Sequence, residues 1–130
     1  MSVVLGMLIF LPACFRALAQ TNEPEDGYRR ISASEAFDMM MEFPQAIILD
    51  VRTEGEFRAR RIDGSILIPH NEIASRAAGE LPDKNALILV YCQSGARSEQ
   101  AARTLLGLAY TNVFDFGGIN NWRFSTVSGN

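Results

Sequence analysis

The sequence predicts an α/β fold, a parallel β-sheet with helices on both faces. Two continuous apolar runs, residues 46–51 and 86–90, are typical of strands that are covered on both faces. Segments with helical periodicity alternate with the strands across short connections, which is the pattern of parallel sheets. The length of 130 residues fits one domain with a single core.

About five strands are predicted, at residues 28–31, 46–51, 65–68, 86–90 and 112–114. A capping box with Ser32 as N-cap and Glu35 at N3 begins the first helix, which ends before Pro44. Its apolar stripe includes Met40 and Met41. A second capping box, from Thr53 to Glu56, begins a short helix that runs to about residue 60.

The remaining helices follow the third and fourth strands. A weak helix is predicted at residues 71–78, and a stronger one begins near Ser98 and ends at Gly107. After the last strand, Gly117 and Gly118 predict a turn, and residues 119–124 a short helix.

The first nineteen residues predict a secretory signal peptide. Residues 3–15 carry no charge, and the small-x-small triplet 17–19 places cleavage after Ala19. The apolar run is shorter than the roughly 20 residues that span a bilayer. Residues 20–27 are polar and predict a linker, so the folded domain should cover residues 28–126. The expected location is periplasmic or secreted.

Two alternatives would attach the chain to a membrane. The leader could remain uncleaved, or Cys14 could be lipidated, because residues 11–14 are similar to a bacterial lipoprotein box. Membrane contact is expected only in these cases. The net charge of −3 argues against nucleic acid as a partner, since no basic stripe is available to neutralise phosphates.

A cysteine at the end of the fourth predicted strand is the main candidate for chemistry. Cys92 enters a short loop before a helix, where main-chain N–H groups and the helix dipole favour a thiolate. Gly95 supplies backbone freedom, and Arg97 either closes the loop or reaches a carboxylate. We expect a reachable sulfur surrounded by main-chain amides that form an anion-binding nest. The alternative is a buried, inert cysteine.

Three motifs in order resemble the single-domain rhodanese (thiosulfate sulfurtransferase-like) family. They are the loop 92–98, the segment 50–52 with its continuation at 56–57 and 62–66, and the segment 116–119 with Trp122. Arg61 and Ser65 depart from the family pattern, which usually has histidine and alanine there. The resemblance implies a rhodanese-like fold.

The resemblance also implies a double-displacement reaction through a Cys92 persulfide. The donor would be a small sulfur-containing anion such as thiosulfate, and the acceptor a thiol or cyanide. Cys92 and Arg97 are then catalytic. The substrate- or anion-binding loop consists of Gln93, Ser94, Gly95, Ala96 and Ser98. No metal and no cofactor are implied, and the single histidine, His70, is expected to be a loop residue.

Asp50, Arg52 and Glu56 are candidates for bracing this loop from behind. Asp50 and Arg52 follow a central strand, and Glu56 could pair with Arg97. The local alternative makes Glu56 only the capping partner of Thr53 and Asp50 a turn former.

Two other functions remain open. One is a non-catalytic rhodanese-like module that binds or relays sulfur for a larger partner. The other is a phosphatase- or arsenate-reductase-like enzyme, which the loop disfavours because those related families have one more residue between cysteine and arginine. Oligomeric state is not predicted.

Overall fold

The computed structural model describes residues 26–130, and within them four parallel strands form one sheet. The strands are β1 (Ile47–Asp50), β2 (Ile66–Leu67), β3 (Ile88–Cys92) and β4 (Val113–Gly118), in the order β2-β1-β3-β4. All five residues of β3 are buried, as expected for a central strand covered on both faces. The α/β fold with a parallel sheet is confirmed.

The helices are α1 (Ala33–Glu42), α2 (Glu54–Ala59), α3 (Ile73–Glu80) and α4 (Ala96–Gly107), with 3₁₀ turns at His70–Glu72 and Ile119–Asn121. Both predicted capping boxes are present. Ser32 Oγ accepts a hydrogen bond from the Glu35 N–H while the Glu35 carboxylate accepts one from the Ser32 N–H. Thr53 and Glu56 form the same reciprocal pair at the start of α2. These local signals therefore placed two helix starts correctly.

The strand count was slightly wrong. Residues 28–31 form a single bridge, between Arg30 and Asp115, instead of a strand. Two main-chain hydrogen bonds flank it, Ile31 N–H to the Asp115 carbonyl at 2.8 Å and Asp115 N–H to the Arg29 carbonyl at 3.0 Å. The segment cannot extend because Gly27 turns the chain on one side and Ser32 caps α1 on the other.

The end of the chain also differs from the prediction. Gly117 and Gly118 lie in β4, and Gly117 adopts a φ of +82° within it. The predicted helix 119–124 is reduced to the 3₁₀ turn, because Trp122 adopts an extended backbone that carries its ring into the core.

The core lies on both faces of the sheet. One cluster joins the sheet to α3 and α4 through Ile73, Ala77, Ala102 and Leu105. The other joins it to α1 and the C-terminal segment, with Ala36, Phe116, Ile119 and Trp122. Helices on both faces are thus confirmed, but Met41 of the predicted apolar stripe is 69 % exposed.

The predicted signal peptide, Cys14 and the linker up to residue 25 lie outside the described residues. From residue 26 onward, no helix is both long and apolar enough to cross a bilayer.

Candidate active site

Cys92 is the last residue of β3, at the carboxyl edge of the sheet between β1 and β4. The chain then turns through three residues into α4, whose N-cap is Gly95 with a φ of +117°. This turn points the Gly95 N–H at the Cys92 sulfur, at an N···Sγ distance of 3.0 Å. Ala96, Arg97 and Ser98 begin α4, so their N–H groups have no partner within the helix. The loop therefore brings one main-chain donor, the Gly95 N–H, to the sulfur at the N-terminus of α4.

The sulfur is less accessible than expected. Cys92 is only 1 % exposed, so the prediction of a reachable thiol is wrong for this state of the protein. The thiol also lies 3.4 Å from Ser98 Oγ, to which it donates a hydrogen bond. Ser98 is fully buried, and its hydroxyl is within 3.1 Å of the Gly95 carbonyl and 3.3 Å of the Gly117 carbonyl. Ser98 and the end of β4 therefore cover the sulfur in this structure.

Arg97 points to α2 instead of lying over the sulfur. Its Nη1 and Nη2 donate to Glu56 Oε1 and Oε2 at 2.8 and 2.9 Å. Glu56 Oε1 also accepts a hydrogen bond from the Thr53 N–H at 3.0 Å. Glu56 is therefore both the capping partner of Thr53 and the partner of Arg97. The hydrogen bonds from Arg97 lower the pKa of Glu56 to about 2, and the same contacts raise the pKa of Arg97. This bidentate pair fastens the start of α4 to α2.

A second brace is buried beneath the loop. Asp50 and Arg52 are 0 % and 2 % exposed, and Arg52 Nη2 donates to Asp50 Oδ2 at 2.7 Å. Arg52 Nη1 continues to the side-chain oxygen of Gln93 at 3.0 Å. Arg52 therefore touches the loop through Gln93, and Asp50 supports the loop indirectly by holding Arg52.

Sequence reasoning missed a third brace on the opposite side. Arg30 Nη2 donates to the Gly95 carbonyl at 2.9 Å and lies 2.8 Å from Asp115 Oδ2. Asp115 is fully buried, and its Oδ2 also accepts a hydrogen bond from the Tyr28 hydroxyl at 2.6 Å. Burial and this carboxylate raise the pKa of Tyr28 to about 12, so the phenol remains a donor. The one available signal was period-two spacing, which puts residues 28 and 30 on one face of an extended segment.

Gly118 and Asn120 fix the loop from the C-terminal side, and neither was predicted. Asn120 N–H donates to the Gln93 carbonyl at 3.2 Å, and Gln93 Nε2 donates to Asn120 Oδ1 at 2.6 Å. A Cβ at Gly118 would overlap the carbonyl group of Gln93. The main chain of β4 therefore contacts the main chain of the loop directly.

The structure also locates the remaining predicted residues. Ser94 and Ala96 are on the exposed side of the loop. His70 lies in a 3₁₀ turn, where its N–H donates to the Val51 carbonyl. Residues 26–130 contain no group of three or more metal-ligating side chains placed to hold an ion.

Known proteins are similar to this chain in both sequence and structure. The model of the family described as "Rhodanese-like domain" matches residues 32–125. The thiosulfate sulfurtransferase PspE of Escherichia coli (strain K12) is 36 % identical over 81 residues, which cover 62 % of this chain and 78 % of that protein.

The thiosulfate sulfurtransferase GlpE of Pseudomonas entomophila (strain L48) is 31 % identical over 103 residues, or 78 % of this chain and 90 % of that protein. A solved structure described as rhodanese with anions from E. coli superimposes with a TM-score of 0.61. It is 34 % identical and covers 65 % of this chain and 99 % of its own.

Proposed function

The chain belongs to the rhodanese-like family, and we propose from this premise that it is a sulfurtransferase that carries sulfur as a persulfide on Cys92. The donor is a small anion with a sulfane sulfur, such as thiosulfate, and the acceptor is a thiol or cyanide. The observation that carries the proposal is the 3.0 Å contact between the Gly95 N–H and the Cys92 sulfur at the N-terminus of α4.

In the first half-reaction, the Cys92 thiolate attacks the sulfane sulfur of thiosulfate. A new S–S bond forms on Cys92, the S–S bond of thiosulfate breaks, and sulfite leaves with the bonding electron pair. The protein then carries a negatively charged terminal sulfur. The unpaired N–H groups at the start of α4 support this step, because a helix N-terminus stabilises negative charge.

In the second half-reaction, the acceptor attacks the outer sulfur of the persulfide. With cyanide, a C–S bond forms, the S–S bond breaks, and the electron pair returns to Cys92 as a thiolate. No general base is required for the protein nucleophile, because a thiolate already carries the reactive electron pair.

Three braces support this chemistry by holding the loop from different sides. Arg97 is tied to Glu56, Gln93 to Arg52, and the Gly95 carbonyl to Arg30. Because the loop is held in place before the reaction, its N–H groups can stabilise the developing negative charge without a change of loop conformation. Arg97 therefore contributes by holding the loop in position through its hydrogen bonds to Glu56.

Intact mass spectrometry after incubation with thiosulfate tests the proposal. We expect the chain to gain the mass of one sulfur atom and the Cys92→Ser variant to gain none. Addition of cyanide should return the protein to its original mass and release thiocyanate. A wild-type protein that never gains sulfur, with the fold intact by circular dichroism, would contradict the proposal.

A sulfur-relay module is the second candidate. Its support is that Cys92 is the free cysteine of the described residues and is 1 % exposed. A persulfide there cannot be resolved by a second thiol within residues 26–130. A relay would form the persulfide but release thiocyanate from cyanide slowly, and this rate separates the two candidates.

Export is a further part of the proposal. The sequence of residues 1–19 supports cleavage after Ala19 and a periplasmic or secreted protein. Sequencing the N-terminus of protein recovered from cells tests it, with Gln20 as the expected first residue.

A further inference from the structure

A cavity of about 410 Å³ opens beside the Cys92 loop and shares Ser94 with it. Its other walls come from the start of α1, the end of β4 and the C-terminal segment. The volume lies in the range of small-molecule sites. Because Ser94 is two residues from Cys92, the cavity wall lies within roughly 7 Å of the Cys92 Cα.

The lining of this cavity is basic although the chain is acidic. It contains Arg30 and Arg123 and no Asp or Glu, whereas the whole chain has a net charge of −3. Ser32, Ser34 and Asn121 add further polar groups to the wall. Phe116 and Phe124 supply apolar surface. A few polar groups above an apolar wall are typical of a site for an organic anion.

The two arginines differ in how far neighbouring carboxylates already neutralise them. Arg30 is paired with Asp115 and lies 3.8 Å from Glu99. Within residues 26–130, Arg123 has no carboxylate within 4.0 Å, and its side chain is exposed. Glu35 is near the same helix end, but its carboxylate accepts a hydrogen bond from the Ser32 N–H. Arg123 therefore provides the unneutralised positive charge at this cavity.

We infer that the cavity binds the carboxylate of an organic thiol that accepts sulfur from Cys92, with Arg123 as the main contact. This inference rests on the proposed function and names the class of acceptor. The acceptor RSH attacks the outer sulfur of the Cys92 persulfide anion. An S–S bond forms between the acceptor sulfur and the outer sulfur, the S–S bond to Cys92 breaks with its electron pair left on Cys92 as a thiolate, and the thiol proton moves to the transferred sulfur.

Placement of the carboxylate in the cavity brings the thiol group toward the loop. Ser94 lines the cavity, is exposed and lies two residues from Cys92, so a short acceptor bound by its carboxylate can direct its thiol toward the loop. An acceptor held by its carboxylate keeps its thiol near the persulfide, and this raises the rate because the two reactants no longer have to meet by diffusion.

The test compares two acceptors, 3-mercaptopropionate and 2-mercaptoethanol, on wild-type persulfide and on Arg123→Gln. We expect the ratio of kcat/KM for the carboxylate thiol over the neutral thiol to fall roughly fivefold to tenfold in the variant, as for loss of one solvent-exposed hydrogen bond of ordinary strength. Intrinsic differences in thiol reactivity cancel, because the same pair of thiols is used throughout.

Arg58→Gln is the matched control, because it removes the same charge from an exposed arginine of α2, outside the cavity. Its ratio should equal that of the wild type. An unchanged ratio in Arg123→Gln overturns the inference. If Arg123→Gln slows only persulfide formation from thiosulfate, the cavity serves the donor, and the assignment to the acceptor is wrong.

A binding measurement separates this inference from the proposed function. Propionate, which has the carboxylate and no thiol, should shift the amide resonances of Ser34 and Ser94 in wild-type protein and not in Arg123→Gln. If the wild type forms no persulfide, the proposed function is wrong, but this titration still shows whether the cavity binds a carboxylate. Absence of these shifts in the wild type overturns the inference even if sulfur transfer is normal.

Discussion

The guanidinium of Arg97 and the carboxylate of Glu56 form two hydrogen bonds, at 2.8 and 2.9 Å, across 41 residues of sequence. Both side chains are about 70 % buried, with 28 % and 31 % of their surface exposed. Glu56 is at the same time the N3 residue that caps α2. One carboxylate therefore joins the start of α2 to the start of α4, on either side of the cysteine loop.

This pair predicts a change of stability with acid. The pKa of Glu56 is lowered from 4.5 to about 2 by the hydrogen bonds from Arg97, so its contribution is fully present above pH 4.5 and is lost as the pH falls toward 2. Glu56→Gln should lower the free energy of unfolding by about 1 kcal/mol at pH 7, the scale of a capping residue or a partly exposed pair. Urea unfolding should show the two proteins converging below pH 4.5. An equal difference at pH 7 and pH 2 would contradict this.

Arg97→Ala should slow sulfur transfer. Without its tie to Glu56, the start of α4 is free to shift, and a displacement of about 1 Å at a reacting group can cost on the order of a hundredfold in rate. Thiosulfate kinetics of Arg97→Ala measure the effect, with Arg97→Lys as the variant that keeps charge and loses the bidentate contact. Arg103→Ala removes an arginine of α4 that pairs with Glu99 and should react at the wild-type rate. Unchanged kinetics in Arg97→Ala would show that Arg97 is not needed to hold the loop for sulfur transfer.

Asp115→Asn should destabilise the domain and loosen the loop together. Asp115 is fully buried and accepts hydrogen bonds from Arg30 and Tyr28, so its neutralisation weakens two charge-assisted contacts. We expect a loss of about 2 kcal/mol, measured by urea unfolding at pH 7. Asp63→Asn, at an exposed position, is the matched control and should change stability little. Equal stabilities for the two variants would show that the Arg30 brace contributes nothing.

Alanine substitutions at two glycines should have opposite effects. At Gly118, a Cβ would overlap the Gln93 carbonyl, and we expect a destabilisation of about 1–3 kcal/mol with reduced sulfur transfer. At Gly55, no atom lies within 4 Å of an added Cβ, and alanine within α2 should stabilise by about 0.5–1 kcal/mol. Thermal unfolding of both variants checks the order. The expectation fails if Gly118→Ala is as stable as the wild type.

Burial of Cys92 predicts slow labelling of the native thiol. At 1 % exposure, iodoacetamide should modify the peptide that contains Cys92 at least about tenfold more slowly in native protein than in urea-unfolded protein. A bulkier thiol reagent should show a larger ratio. Mass spectrometry of that peptide measures both rates. Native labelling as fast as that of the unfolded chain would mean that the sulfur is open to solvent.

Features that depend on neighbouring residues could be predicted from the sequence. The capping boxes of α1 and α2 and the turn from β3 into α4 each lie within a few residues, so their side-chain and main-chain partners are visible in the order of the letters. The pairing of Glu56 with Arg97 was one of two alternatives for Glu56, and it became visible because both residues belong to motifs that resemble those of one family.

Contacts between distant segments were missed for a physical reason. Arg30 and Asp115 are 85 residues apart, and Gln93 and Asn120 are 27 apart, so neither pair leaves a local pattern. The burial of Cys92 depends on how tightly Ser98 and the end of β4 close around it, which residue type does not reveal. Residues 28–31 have the composition of a strand, yet the turn at Gly27 and the cap at Ser32 leave room for one bridge.

The contact between Gly118 and the Gln93 carbonyl constrains how this protein can evolve. Because no side chain separates the two backbones, natural variation at position 118 cannot be accepted alone, and a mutation there must be accompanied by a rearranged loop. Homologues with another residue at this position should therefore differ in the length or path of the segment after their cysteine.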